Sequence, residues 1–435
     1  MTDIAIIGAG PGGLVTALRL HQAGFRPTVY ETVPELKPPL GVGVDIKTVG
    51  TRELDELGLL EEFRAISVDA EDSIFFNHHG QEIYAEKCGV HMGYLHEQRF
   101  VHRGTLQMLL YRAVLDRLGA DAVVLGARVA AYAQDEASVT LDLEHRDGRT
   151  EQVRHDAVIA ADGIKSAVRR QMHPSLAEPE FSGITMWRGT TLREPIRGGH
   201  TILHLGDPRI STMIVYPIAE DFEGSGLDLI NWVVETNGEE TVEDWNQVAD
   251  PPEQIIPAFD TLQLPFLDVQ QLIRDAREVY LFPPSSATSR STAGSTGGSC
   301  SWGGMPRTPC TPRGGNGITQ AMLDARVLAE QLVALGDPPR EAFAAYDAAR
   351  REIVNRIADN MRGEGYESSG GSWPSAPTVS RSTTSKRCCR SRRPTRSSRS
   401  TTRSSGPPRP GHDAGEATGF RTWQVAGAEA GARHE

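Results

Sequence analysis

Six consecutive residues near the start, Gly8-Ala9-Gly10-Pro11-Gly12-Gly13, are the first in the chain whose types and spacing could do chemistry. Gly8, Gly10 and Gly13 fall in a G-x-G-x-x-G spacing between an apolar run and an amphipathic one. The first glycine permits a tight turn, the second the close approach of a pyrophosphate, and the third close packing of helix on strand. A helix starting there turns unpaired N–H groups and a partial positive charge toward bound phosphates. Glu31 ends the next apolar run, about twenty residues beyond the turn, where a carboxylate accepts hydrogen bonds from a ribose diol. Gly8, Gly10, Pro11, Gly12, Gly13 and Glu31 are therefore cofactor-binding candidates, and their chemistry is the capture of a dinucleotide. The motif alone leaves NAD and FAD both open.

A second glycine loop, Gly314-Gly315-Asn316-Gly317, precedes a helical stretch and lets backbone N–H groups converge where negative charge is favoured, as at N1 and O2 of a reduced flavin. Between the two loops, "VIAADGIKSAVRR" resembles the D-G motif of the aromatic-ring flavoprotein monooxygenases of the para-hydroxybenzoate hydroxylase type, with Asp162, Gly163, Ser166 and Arg169 at its positions. In that family the segment carries a carboxylate near the FAD pyrophosphate and is linked to the nicotinamide donor. Arg103 in "VHRGTLQ" matches an arginine that contacts the FAD chain, with Gln107 one turn later. Gly41, Gly43 and Val44 in "PLGVGVDI" match the segment running beside the isoalloxazine, and "PRGGNGITQAMLDA", with Gly314, Gly315 and Asn316, matches the loop at its pyrimidine edge. The resemblance covers residues 1 to about 365, including "GITMWRG" and "VYPI", and is strongest to the phenazine hydroxylases.

The resemblance implies a bound FAD, NADH or NADPH as co-substrate, and O2 that adds at flavin C4a to give a hydroperoxide able to attack an electron-rich ring. Cofactor chemistry of this kind leaves the protein to position the ring, exclude water and tune charge. Asp45 is the candidate catalytic residue, as acceptor of a phenolic proton, which needs a carboxyl raised toward neutrality by burial; a solvated turn aspartate is the alternative. Trp187, Arg188, Tyr216 and Pro217 are candidate pocket residues. Buried Trp and Tyr are otherwise core residues, and Arg188 either meets a substrate carboxylate or forms a structural ion pair.

The elements that must position these groups are legible in the periodicity. Residues 3 to 31 read as a strand, a glycine turn, a helix from Pro11 to about Ala23 and the strand "PTVYE", the opening of a doubly wound sheet. Arg103 to Leu118 reads as an amphipathic helix with Leu106, Leu109, Leu110, Val114 and Leu118 on one side. "SVTLDLEHRDGRTEQV" reads as a hairpin turning at Asp147-Gly148. "HTILHL", "STMIVYPI" and "LINWVV" are β-like runs within residues 183–280, and helices are expected at 318–335 and 340–361 around the Pro338-Pro339 break. The expected fold class is α/β: a Rossmann-type FAD-binding domain made of 1–182 and 281–365, C-terminal helices, and an inserted mixed β-sheet substrate domain at 183–280 to which residues near 70–100 contribute.

The formal charge of −12 argues against a nucleic-acid partner, and no run of eighteen apolar residues could span a membrane. The start "MTDIAIIGAG" reads as a strand rather than a secretory segment, so a cytoplasmic monomer or homodimer acting on a small aromatic substrate is expected. Of five cysteines, Cys88 stands alone and the rest show neither a disulfide framework nor zinc spacing, so no metal is expected.

Two segments break these patterns. Before the second glycine loop the family pattern requires an apolar strand and then G-D-A-x-H-P, whose Asp holds the ribityl chain, but the chain reads "SCSWGGMPRTPCT". Writing Ser299 to Thr311 as codons and regrouping them one nucleotide earlier permits V-V-L-L-G-x-D-A-A-H-P-M-Y, the missing motif with one extra residue. Applied to "APTVSRSTTSKRCCRS" in the Ser, Thr, Arg and Pro-rich tail, the same regrouping permits A-D-G-F-E-V-D-D-V-E-A-V-L-P, acidic and globular in character. Residues from about 284 to 311 and from about 368 to 435 are therefore read as frame-displaced; by composition alone the tail is disordered. The leading function is an FAD-dependent hydroxylase, with or without decarboxylation. The alternatives are other oxidative chemistry on the same fold, for which the W-x-W-x-I-P halogenase signature is absent, and an inactive product that at most binds nucleotide.

Overall fold

The computed structural model describes residues 2–37, 42–163, 166–174, 180–181, 184–207, 210–237, 247–248, 253–282, 285–286, 300–302, 316–336 and 339–359. All belong to one compact unit, Met1–Trp373. Gly314, Gly315, the tail and most of 284–311 lie outside the described residues.

A parallel sheet carries the strands Cys300–Trp302, Ala157–Ala160, Ile4–Ile7, Thr28–Glu31 and Val123–Leu125, in that spatial order. Ile4–Ile7 is buried throughout, as a central strand covered on both faces must be. Its register with Ala157–Ala160 and Thr28–Tyr30 brings the chain ends after Ile7, Glu31 and Ala160 to one edge. The helices Pro11–Gln22, Arg103–Leu118 and Gly317–Leu335 share one apolar core beneath it, with Leu14, Leu18, Leu106, Leu110, Val114, Met322 and Leu328. Leu109 and Leu118, expected on that face, are only partly buried against the core. The hairpin forms from Val139–His145 and Thr150–His155, with Gly148 at φ +85°.

An eight-stranded sheet runs Gln247–Val248, Glu278–Phe282, Ile184–Arg193, Asp228–Asn237, Ser211–Ala219, Thr201–Asp207, Asp72–Phe76 and Glu82–Lys87. Strict alternation gives it two different faces. On one, Trp187, Met213, Val215, Trp232 and Val234 pack against Ile255, Phe259, Leu272 and Ile273 of the short helices at 253–259 and Val269–Arg274. The other meets a small antiparallel sheet of Gly43–Ile46, Arg99–His102 and Ser67–Asp69, where Tyr216 and Ile218 pack on Phe100 and Val68. Gly43–Ile46, expected only as a segment beside a ring, is thus a strand held between the two larger sheets. Among the described residues no helix is long and apolar enough to cross a membrane.

Candidate active site

The first glycine turn is built by backbone sterics. Gly8 sits at φ +100°, and a Cβ there would meet the Ala161 carbonyl oxygen at 2.5 Å; a Cβ on Gly13 would lie 1.9 Å from the Gly8 oxygen. One on Gly10 would meet nothing within 4 Å, so this side of the turn is open. Helix Pro11–Gln22 begins there with no side chain capping it, which leaves its first N–H groups directed at the open side.

Two side chains clasp the turn. Ala9 N–H donates to Glu31 Oε2 at 2.7 Å, and Gln107 Nε2 donates to the Ala9 carbonyl at 2.7 Å. Val33 N–H holds the other Glu31 oxygen at 3.0 Å, fixing the carboxylate while leaving lone pairs for a hydroxyl. Sequence reading placed Glu31 and Gln107 at the cofactor without anticipating that they share one residue as their anchor.

The D-G segment lies against this turn, since the Asp162 Cα would be 3.1 Å from a Cβ on Gly8. Asp162 Oδ2 accepts from Ala167 N–H at 2.9 Å, whereas Oδ1 is buried with no hydrogen-bond partner among the described residues. Burial pushes this carboxyl up, against the opposing pull of Ser166 and nearby backbone N–H groups. Ser166 caps helix Ala167–Met172 by accepting from the Arg169 N–H at 2.9 Å. Gly163 takes a positive φ of +78°, a conformation that favours glycine.

Arg103 opens helix Arg103–Leu118, its N–H bonded to the Val42 carbonyl at 3.1 Å. Burial and, after it, the Arg188 cation lower its pKa. No carboxylate pairs with Arg103 among the described residues, so the locus favours an anion. Asn316 stands at the start of helix Gly317–Leu335, again without a side-chain cap; one turn in, Thr319 accepts from the Lys47 N–H at 3.3 Å, which brings the helix start beside strand Gly43–Ile46. The orphaned Asp162 oxygen, the space above Gly10, the uncapped helix start and the unpaired Arg103 together fit an extended, doubly charged dinucleotide such as FAD.

Between the small antiparallel sheet and the eight-stranded mixed sheet the contacts centre on Gly43. Its N–H donates to Asn231 Oδ1 at 2.6 Å, its carbonyl accepts from Arg188 at 2.7 Å, and a Cβ on it would meet Ile218 at 2.5 Å and Asn231 at 2.8 Å. Val44 alternates to the other side and packs on the parallel-sheet core. Asp45 faces the large sheet: it is opposite Phe100, whose ring centroid is 4.9 Å from that of Tyr216. The expectation of a solvated turn is corrected here, because Asp45 is a buried strand residue whose Oδ2 accepts from Lys47 at 2.6 Å and Gln98 at 3.0 Å. Burial lowers the Lys47 pKa, but Asp45 outweighs it and holds the ammonium above its ordinary value.

Of the four pocket candidates, the structure brings two together. Arg188 and Tyr216 share the face toward Gly43, and burial pushes the Tyr216 hydroxyl up to about 12 despite the opposing Arg188 cation. Trp187 is corrected to a core residue: neighbouring strand residues point to opposite faces, and it packs with Trp232 and Ile255 on the far side. Pro217, in register with the core residue Ile230, goes with it. Sequence reading missed Asn231, Lys47 and His204. Asn231 carried a signal, a lone amide in the apolar run "LINWVV". His204 stacks on Phe75 with centroids 4.2 Å apart, and burial, then Lys47, lower its pKa to about 3.

Residues 1–263 match the FAD binding domain family. The chain is 33% identical to the phenazine 1,6-dicarboxylic acid hydroxylase PhzS of Lysobacter antibioticus over 83% of its own length and 89% of the relative's. It is 29% identical to the aurachin C monooxygenase/isomerase of Stigmatella aurantiaca over 81% and 86% of the two chains. The solved structure of HpxO from Klebsiella pneumoniae, complexed with FAD and uric acid, has the same fold, with a TM-score of 0.67 at 22% identity over 83% of this chain and 87% of that one.

Proposed function

This chain belongs to the FAD binding domain family and is a flavoprotein monooxygenase with FAD as its cofactor, and from that premise we propose that it uses NADH or NADPH and O2 to hydroxylate, with or without loss of a carboxyl group, a planar aromatic or polycyclic small molecule. The observation that carries the reading is the convergence of Glu31, Gln107 and Asp162 on one open glycine turn. When bound, FAD supplies the activation of oxygen.

The protein's own groups do the rest. Gly8, Gly10, Pro11, Gly12 and Gly13 present the helix start to the diphosphate; Glu31 takes the ribose hydroxyls; Arg103, Gln107, Asp162 and Gly163 line the extended chain. Gly43, Val44 and Asn316 would border the ring. Arg188 and Tyr216 face the substrate side, and the large sheet serves as the lid that excludes water. Asp45 accepts a hydrogen bond from a ring hydroxyl through Oδ1, which is buried without a partner among the described residues, while Lys47 holds Oδ2.

The full chain, purified with FAD, should be yellow and should oxidise NADH or NADPH faster when a substrate ring is present, with a product one oxygen heavier, less any carboxyl lost. Making it also from the regrouped reading frame tests how far the segments at about 284–311 and 368–435 together limit flavin uptake. Protein from either frame that takes up no FAD overturns the reading. An unchanged pH dependence of hydroxylation in Asp45→Asn removes Asp45 from it.

A further inference from the structure

The Asn231 side chain is 0% exposed, and its two ends are treated differently. Oδ1 accepts the Gly43 N–H at 2.6 Å, which fixes the amide orientation because only the oxygen can accept. Nδ2 is then a buried donor, and it has no hydrogen-bond partner among the described residues. Such a donor is costly unless something satisfies it. Its register neighbours are Tyr216 and Thr190, and Arg188 holds the other polar group of Gly43, so this donor lies at the junction of the two sheets.

We propose that Asn231 contacts ligand directly: Nδ2 donates to an acceptor, a carbonyl oxygen or ring nitrogen, of a planar heterocycle held between the sheets, while Oδ1, together with Arg188, positions Gly43 and so sets the spacing between the sheets. The inference rests on the reading that Gly43 and Val44 border the isoalloxazine. The acceptor belongs either to the flavin or to the substrate ring, and both present the same chemistry. The partial charges suit either one, since Arg188, a cation on the same sheet face, already favours electron-rich atoms on this side.

Two substitutions separate the two roles. Asn231→Asp keeps the acceptor for Gly43 and removes the donor; Asn231→Leu removes both at similar volume. In the full chain, Asn231→Asp should weaken one ligand about tenfold, the equivalent of one hydrogen bond. If the acceptor is on the flavin, the loss appears in the FAD dissociation constant, read by flavin fluorescence. If it is on the substrate, the loss appears in the affinity for phenazine-1,6-dicarboxylate, the compound named for a relative, read as a change in flavin absorbance. Asn231→Leu should lose as much and also shift the absorption band of the bound flavin, which a general loss of stability leaves in place.

An Asn231→Asp protein with wild-type affinity for both overturns the donor assignment. If the probe leaves the wild-type flavin spectrum unchanged, the FAD constant alone decides. An unshifted band in Asn231→Leu overturns the positioning role. Wild-type protein that takes up no FAD sinks both this inference and the reading beneath it, and is recognised as colourless before any variant is compared.

Discussion

The turn at Gly8–Gly13 and the junction at Gly43 both depend on a missing side chain, yet they are built from different materials. At the turn, backbone meets backbone: the atom a Gly13 Cβ would strike, at 1.9 Å, is the carbonyl oxygen of Gly8. At the junction, backbone meets side chains that arrive from 188 and 145 residues away, Asn231 and Arg188. A backbone obstacle cannot rotate aside, whereas the Ile218 methyl that a Gly43 Cβ would meet at 2.5 Å ends a side chain that can turn, even though the Asn231 Cβ at 2.8 Å yields only with its strand. The same chemical device is therefore more rigid where a helix meets a strand and less so where two sheets meet.

Substitutions sharpen this contrast, and the largest effect belongs to the turn. Gly13→Ala should cost about 3 kcal/mol or more and abolish flavin retention, because helix must part from strand to admit the methyl group. A urea midpoint and flavin content like those of the wild type would break the comparison. Gly43→Ala should cost about 1–3 kcal/mol but leave the FAD groove formed, so that flavin stays bound while its spectrum shifts. Loss of flavin as complete as in Gly13→Ala would show that the junction is no softer than the turn. Gln107→Leu removes one hydrogen bond to Ala9, so its expected effect is about 1 kcal/mol, a roughly fivefold weaker FAD dissociation constant by fluorescence titration.

The smallest effect at neutral pH is at His204, and it grows with acidity. Its folded pKa is depressed to about 3. The unfolded chain therefore binds the proton first, and the stability His204 contributes is complete above about pH 6.5 and lost as the pH falls through that value toward 3. His204→Phe keeps the stack on Phe75 and removes the titration. Its melting temperature should match the wild type near pH 7 and exceed it at about pH 5. Equal acid sensitivity of the two proteins would place the titrating group elsewhere.

Much of the site was legible because its determinants are local. Pro11 to about Ala23 reads as a helix and forms as Pro11–Gln22; Arg103–Leu118 forms as expected, bringing Gln107 one turn after Arg103. The strands named within 201–234 form close to where the alternation puts them. Asp45 was harder, because "PLGVGVDI" is glycine-rich and reads as a turn, while its burial comes from the large sheet that covers it. Trp187 and Arg188 are adjacent and so must face opposite ways, but alternation cannot say which face meets helices and which meets Gly43. The edge position of the parallel sheet shows a related limit: the strand Cys300–Trp302 pairs with Ala157–Ala160 although it is only Cys-Ser-Trp amid Ser- and Gly-rich sequence and no apolar run announces it.

By itself the amino-acid order determined the dinucleotide turn, the carboxylate at the end of the second strand and the alternation of helix and strand around them, since each depends on sterics and periodicity within a few tens of residues. Only the tertiary structure decided that Glu31 and Gln107 grip the two backbone polar groups of Ala9, that Trp187 belongs to the core, and that Asn231 meets Gly43. Those pairings join residues far apart in the chain, and a hydrogen bond between distant partners leaves no periodic trace in either partner's neighbourhood.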